Sequence, residues 1–154
     1  MNQNLNIFVN NFFNMGCLIG LDFGIKYSGI SVTDPNQIIA SPLDTCQTNK
    51  LIPFLRNYVE NQKVEAFVIG MPLQKDGSTS DIEKDILEFI KDLKKIFPSY
   101  PIYRQDERYT SKISSKVILE SGIKKNKRKN KRLIDKISAT LILQSFLEHK
   151  LKNL

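Results

Sequence analysis

Apolar residues fall along this chain in two rhythms, one of period two and one of period three to four. Aliphatic and β-branched runs recur at residues 17–22, 27–33 and 37–43, each bounded by turn chemistry. Gly24 and Lys26 lie in the first turn, and Asp34-Pro35-Asn36 forms the second, with proline fixing φ and Asp and Asn tolerating the bend. Three strands joined by short turns predict an antiparallel meander. The rhythm then lengthens. Leu51, Phe54, Leu55, Tyr58 and Val59 predict a helix over about 49–61, with Pro53 acceptable only in its first turn. Residues 64–70 form a continuous apolar run of strand length, and a strand reached through a helix predicts a parallel crossover.

Ser80-Asp81-Ile82-Glu83 has the spacing of a capping box, with Ser80 at the cap. The helix it opens carries an apolar stripe of Ile82, Ile86, Phe89, Ile90, Leu93 and Phe97, and Pro98 ends it. A fifth strand is predicted at 100–105 and a short helix from Thr110 or Ser111 to Gly122. The last helix, about 133–150, is apolar around most of its circumference and is predicted to bury itself against the sheet. The element order predicts an α/β fold: a mixed sheet of five strands, three antiparallel first and two parallel through helical crossovers, flanked by helices.

Composition narrows the class. The 154 residues suit one domain, and 41% hydrophobic with 9% aromatic residues exclude a disordered chain. Residues 1–15 are Asn-rich and lack the basic start and continuous apolar core of a signal peptide. They read as a disordered or loosely attached extension to a single domain at 16–154, with Met15 an alternative start. No stretch is long and apolar enough to span a bilayer. Cys17 and Cys46 read as small core residues in a reducing, cytoplasmic compartment.

The formal charge of +7 favours a polyanion as partner. Much of it is concentrated in Lys124, Lys125, Lys127, Arg128, Lys129, Lys131 and Arg132, seven basic residues in nine, which read either as a solvated loop or as a nucleic-acid contact.

Against this basic background stand carboxylates at element ends. Asp22 closes the first strand, Asp106 and Glu107 close the fifth, and Asp135 lies in the first turn of the last helix. The C-terminal ends of parallel strands form the usual ligand crevice of such sheets. Acids converging there repel one another unless a divalent cation sits among them, and Mg²⁺ or Mn²⁺ takes such hard oxygen ligands. One or two such ions assist phosphodiester cleavage.

Structural explanations stand beside these. Asp135 also suits a helix N-terminus, an effect worth about 0.3–1 kcal/mol. Asp106 and Glu107 point to opposite faces of an extended strand, so at most one faces the crevice. Asp22-x-Gly24-x-Lys26 also resembles the phosphate loop of actin-like sugar kinases, which need two such domains where this chain has length for one.

Four stretches in order resemble the YqgF family of RNase H-like proteins, known as pre-16S rRNA nucleases or Holliday junction resolvases. They are Gly20-Leu21-Asp22-Phe23-Gly24-Ile25-Lys26 with Gly29 and Val32; Val68 to Leu73 with Asp76-Gly77-Ser78; Asp106-Glu107-Arg108-Tyr109-Thr110; and Ile134-Asp135-Lys136 through Ala139 to Ser145. The resemblance implies an RNase H-like fold and an acidic, metal-holding site of Asp22, Glu107 and Asp135. It implies that Gly24, Lys26, Arg108 and Thr110 place a phosphate backbone and that the basic run contacts nucleic acid. Tyr27 stands where the family often has Arg, and Ser138 where junction resolvases carry a further carboxylate.

Three functions follow as expectations. The first is an Mg²⁺- or Mn²⁺-dependent nuclease trimming the 5′ end of precursor 16S rRNA, as a monomer or weak dimer. The second is a resolvase of branched DNA, which should act as a two-fold dimer. The third is a non-catalytic RNA-binding assembly factor.

Overall fold

A computed structural model describes residues 15–107 and 131–153. The expected extension at 1–14 and short helix after Thr110 lie outside the described residues, as do Arg108, Thr110, Lys124, Lys125, Lys127, Arg128 and Lys129. Five strands, β1 (Cys17–Asp22), β2 (Tyr27–Thr33), β3 (Ala40–Gln47), β4 (Val64–Met71) and β5 (Ile102–Asp106), form one sheet in the order β3-β2-β1-β4-β5. β1–β2 and β2–β3 pair antiparallel, whereas β1–β4 and β4–β5 pair parallel, as the sequence predicts. Among the described residues the helices are α1 (Leu51–Asn61), α2 (Glu83–Ile96) and α3 (Lys131–Lys152).

Strand alternation sorts the core into two layers. Ile19, Leu21, Phe67 and Ile69 face Leu51 and Leu55 of α1 and Ile86, Phe89, Ile90 and Leu93 of α2. Leu18, Ala66 and Val68 face the opposite way, against Ile142, Leu143 and Leu147 of α3. The apolar surface of α3 is therefore narrower than its composition suggests. One face is buried, and residues such as Gln144, Glu148 and Leu151 stay exposed.

Several boundaries shift by one to four residues, among them β5 at Ile102–Asp106 rather than 100–105, and two departures have a visible cause. β3 starts at Ala40 rather than at 37 because Asp34 wraps the turn around its own carboxylate. Asp34 Oδ1 accepts from the backbone N–H groups of Ile38 at 2.8 Å and Ile39 at 2.6 Å, and Oδ2 from Asn36 at 3.1 Å. Gln37 takes a left-handed φ of 56° there. Its buried amide donates to the Gly16 carbonyl and to Glu65, both at 2.8 Å, and accepts from Lys150 at 2.8 Å. β3 then runs on to Gln47 as an edge strand that tolerates Pro42 at a register shift.

The second departure concerns α2. Ser80 offers only its carbonyl, to the Glu83 N–H, and no side chain caps the helix. The Glu83 carboxylate turns instead to Arg104.

α3 lies across the sheet on a track of small residues. At Gly20 a Cβ would strike Ser31 Oγ and the Leu143 side chain, and at Gly29 the backbone carbonyl of Asp135. Ser31 Oγ donates to the Ala139 carbonyl at 2.7 Å, inside this interface. We predict that Gly29→Ala costs about 2–4 kcal/mol in urea unfolding, because the obstacle is backbone and cannot swing aside. A loss under about 0.5 kcal/mol would show that α3 does not need this close approach.

Candidate active site

The parallel arrangement of β1, β4 and β5 puts three strand ends along one edge, and α3 starts above it. Alternation places Asp22 and Gly70 on the α3 face of that edge. Glu107 follows β5 and donates its backbone N–H to the Met71 carbonyl at 3.1 Å. Its carboxylate lies on Gly70, where a Cβ would collide with Oε2. Glu107, rather than Asp106, therefore faces the crevice.

The β1–β2 turn that carries Gly24 and Lys26 is tied down behind Asp22. Thr48 Oγ1 donates to the Gly24 carbonyl at 2.6 Å and meets Ser28 Oγ at 2.8 Å, while Gly24 N–H donates to Ser28 Oγ at 3.3 Å. Lys26 is exposed at the tip. Asp135 comes down from the first turns of α3 with its Oδ2 buried.

These carboxyls share one desolvated corner. Burial raises the Asp22 carboxyl well above its ordinary value, and the charges of Glu107 and Asp135 and a hydrogen bond with Glu107 push the same way. Burial likewise pushes Glu107 up to about 7, against the opposing pull of the Asp22 hydrogen bond and the Arg104 charge. A hydrogen bond between two carboxyls needs one of them to carry the proton, and burial together with mutual repulsion favours that shared-proton state. Such a pair takes up either a proton or a cation at neutral pH.

As a donor set it suits a hard divalent ion, which needs only one or two carboxylates beside water and substrate oxygens. A ready-made cage is not present: among the described residues no group of three or more His, Cys, Asp or Glu side chains is gathered closely enough to hold a metal.

The remaining expected contacts divide. Arg132 is exposed near the start of α3, where its guanidinium lies 5.0 Å from the Tyr27 ring centroid and donates to the Tyr27 hydroxyl at 3.3 Å. Its carbonyl accepts from Thr45 Oγ1 at 2.6 Å. Lys131 is the first residue of α3. Residues 108–130, with most of the basic run, join Glu107 to α3 in the sequence and lie outside the described residues.

Sequence reading missed the Glu83–Arg104 pair beneath β4, because Glu83 also completed a capping-box pattern. It also passed over Gly70 as a seat for Glu107, although the glycine stood in a motif already singled out.

Comparison with known proteins identifies the family. The family model for RuvX, described as Holliday junction resolvase, matches residues 16–149. The chain belongs to the RuvX family, also called YqgF. Its RuvX-family relatives include the "Putative pre-16S rRNA nuclease" of Amoebophilus asiaticus, 48% identical over 133 residues that span 86% of this chain and 94% of that protein. Proteins of the same name in Bacteroides fragilis and Christiangramia forsetii are 45% and 46% identical, over 88% and 86% of this chain and 99% and 98% of their own lengths. A solved structure of T. thermophilus RuvC in complex with a Holliday junction substrate superposes with a TM-score of 0.54 at 15% identity, covering 88% of this chain and 96% of that one. At that identity the likeness establishes the fold, which is RNase H-like. The RuvX resemblance read from the four motifs therefore holds.

The raised carboxyl values set the pH dependence of this RuvX-family chain. The folded protein binds more protons than the unfolded chain between the ordinary carboxylate range and about 7. Their contribution to stability is therefore complete at low pH and is lost as pH rises through the raised values, about 7 for Glu107. Without divalent ions, Asp22→Asn is expected to be more stable than the native protein at pH 8, by about 1–3 kcal/mol. The gap should close near pH 4. Urea unfolding in chelator at both pH values measures this, and equal stability at pH 8 would mean the carboxyls do not repel.

Proposed function

We propose that this chain is a hydrolytic nuclease that trims the 5′ end of precursor 16S rRNA in the cytoplasm, using Mg²⁺ or Mn²⁺ and acting as a monomer or weak dimer. The observation that carries the reading is the buried Asp22–Glu107 carboxyl pair at the C-terminal edge of the parallel strands, with the Asp135 charge acting on Asp22 from α3. The names of the relatives supply the substrate class. No helix among the described residues is long and apolar enough to cross a membrane, and both cysteines are free, which suits a reducing compartment.

In this reading Asp22 and Glu107 hold the cation, and Asp135 completes the site or orients water. When bound, the ion polarises the scissile phosphate and lowers the pKa of an attacking water. Gly24 allows backbone to come close to a phosphate, and Lys26 and Arg132 reach strand phosphates beside the acids. Arg108, Thr110, Lys124, Lys125, Lys127, Arg128, Lys129 and Lys131 continue that basic contact. Tyr27 is not itself a phosphate ligand, but it carries Arg132 on its ring, so positive charge still stands at this position. The description of the matching family favours a second reading, cleavage of branched DNA with the same residues. A two-fold dimer in solution would support it.

Asp22→Asn is expected to lower metal-dependent cleavage of a 5′-extended 16S precursor by about 100-fold or more while leaving RNA affinity within about twofold. Unchanged cleavage, or none by the native protein, would remove the nuclease reading in favour of a binding factor. Replacing Lys127, Arg128 and Lys129 with Ala should weaken binding to all RNA sequences alike and flatten the slope of log K against log salt by about 2. An unaltered slope would make the basic run a bystander.

A further inference from the structure

Arg104 lies on the face of β5 opposite Glu107, and its guanidinium reaches under the end of β4. Its Nη2 donates to the Gly70 carbonyl at 3.0 Å and its Nε lies 3.4 Å from the Ile69 carbonyl. The far side of the same guanidinium is forked onto Glu83 at the start of α2, with Nη1 to Oε1 at 2.6 Å and Nη2 to Oε2 at 3.0 Å. Both side chains are largely covered, at 19% and 12% exposure. Gly70 and Met71 are also the residues on which Glu107 rests, the carboxylate on the Gly70 α-carbon and the backbone N–H on the Met71 carbonyl. The end of β4 is thus held between a guanidinium on one face and the site carboxylate on the other.

We infer that Arg104, fixed by Glu83, is a positioning residue for Glu107, setting where its carboxylate stands by fixing the Ile69 and Gly70 peptides beneath it. The inference rests on the nuclease reading, and it adds a part that neither motif nor family description assigns. A planar fork is needed because one group must serve two carbonyls and a carboxylate at once, which an ammonium cannot do with the same geometry. The Arg104 charge also acts on Glu107 and draws its carboxyl back toward ionisation against burial. A pair that merely held α2 to β5 would be replaceable by apolar side chains of similar volume at little cost.

That difference supplies the test. The double variant Glu83→Leu/Arg104→Met and the single variant Arg104→Lys are compared with the native protein for thermal midpoint, Mn²⁺ affinity by calorimetry, and kcat and KM on a 5′-extended 16S precursor. Expected for the folded double variant are about tenfold weaker Mn²⁺ binding and about tenfold lower kcat, with KM changed by less than about twofold. Native Mn²⁺ affinity and kcat in that variant would overturn the inference. If the double variant does not fold, Arg104→Lys decides: weaker Mn²⁺ binding at unchanged KM supports positioning, and native values overturn it. A native protein that neither binds Mn²⁺ nor cuts RNA removes the nuclease reading itself, whatever the variants do.

Discussion

Everything distinctive in this fold follows from bringing carboxylates from three remote segments into one desolvated corner. Asp22 arrives on a strand, Glu107 just past another, and Asp135 on a helix more than a hundred residues from the first. Like charges at that spacing resist both burial and one another. The arrangement persists because packing elsewhere leaves little choice. α3 is seated on Gly20, Gly29 and Ser31, where its backbone comes closer than any larger side chain allows. Gly70 opens the seat for Glu107. Small residues on the central strands are therefore the structural counterpart of the acids.

The electrostatics then link stability to chemistry. A site that is strained when all its carboxyls are ionised relaxes by taking a proton, and under the proposed function a divalent cation would relieve the same strain. The Asp22–Glu107 hydrogen bond is the protonated form of that choice. Arg104 tempers the strain from beneath β4, and Arg132, stacked on Tyr27, adds positive charge at the rim. Exposed Lys26 and Arg132 thus stand outside the buried acids, a charge arrangement that favours approach of a polyanion.

Much of this was legible in the chain. β1 and β2 match their predicted bounds because alternation and turn residues agree there, and the mixed topology follows from the lengths of the connections. The acids could be singled out as a set at element ends, although each taken alone also had a structural use open to it. What local pattern misread had long-range causes. Gln37 looks like the start of a strand, but its amide bonds Gly16, Glu65 and Lys150, which are remote in sequence. Glu83 looks like half of a capping box because its partner is Arg104, 21 residues on. Between Asp106 and Glu107, alternation said only that one faces the crevice. The choice of Glu107 needed the pairing of β4 with β5 and the empty α-carbon of Gly70.

The proposed cation site at Asp22 and Glu107 requires that a divalent ion, on binding, displace the protons that the raised carboxyls hold. Titrating Mg²⁺ into the native protein at pH 6.5 by calorimetry, in buffers of different ionisation enthalpy, counts the protons released. Release of protons on ion binding is predicted, with the number falling as pH rises above the value of about 7 for Glu107. Binding whose enthalpy does not depend on buffer would contradict the account, because it would mean that the carboxyls are already ionised and hold no shared proton to give up.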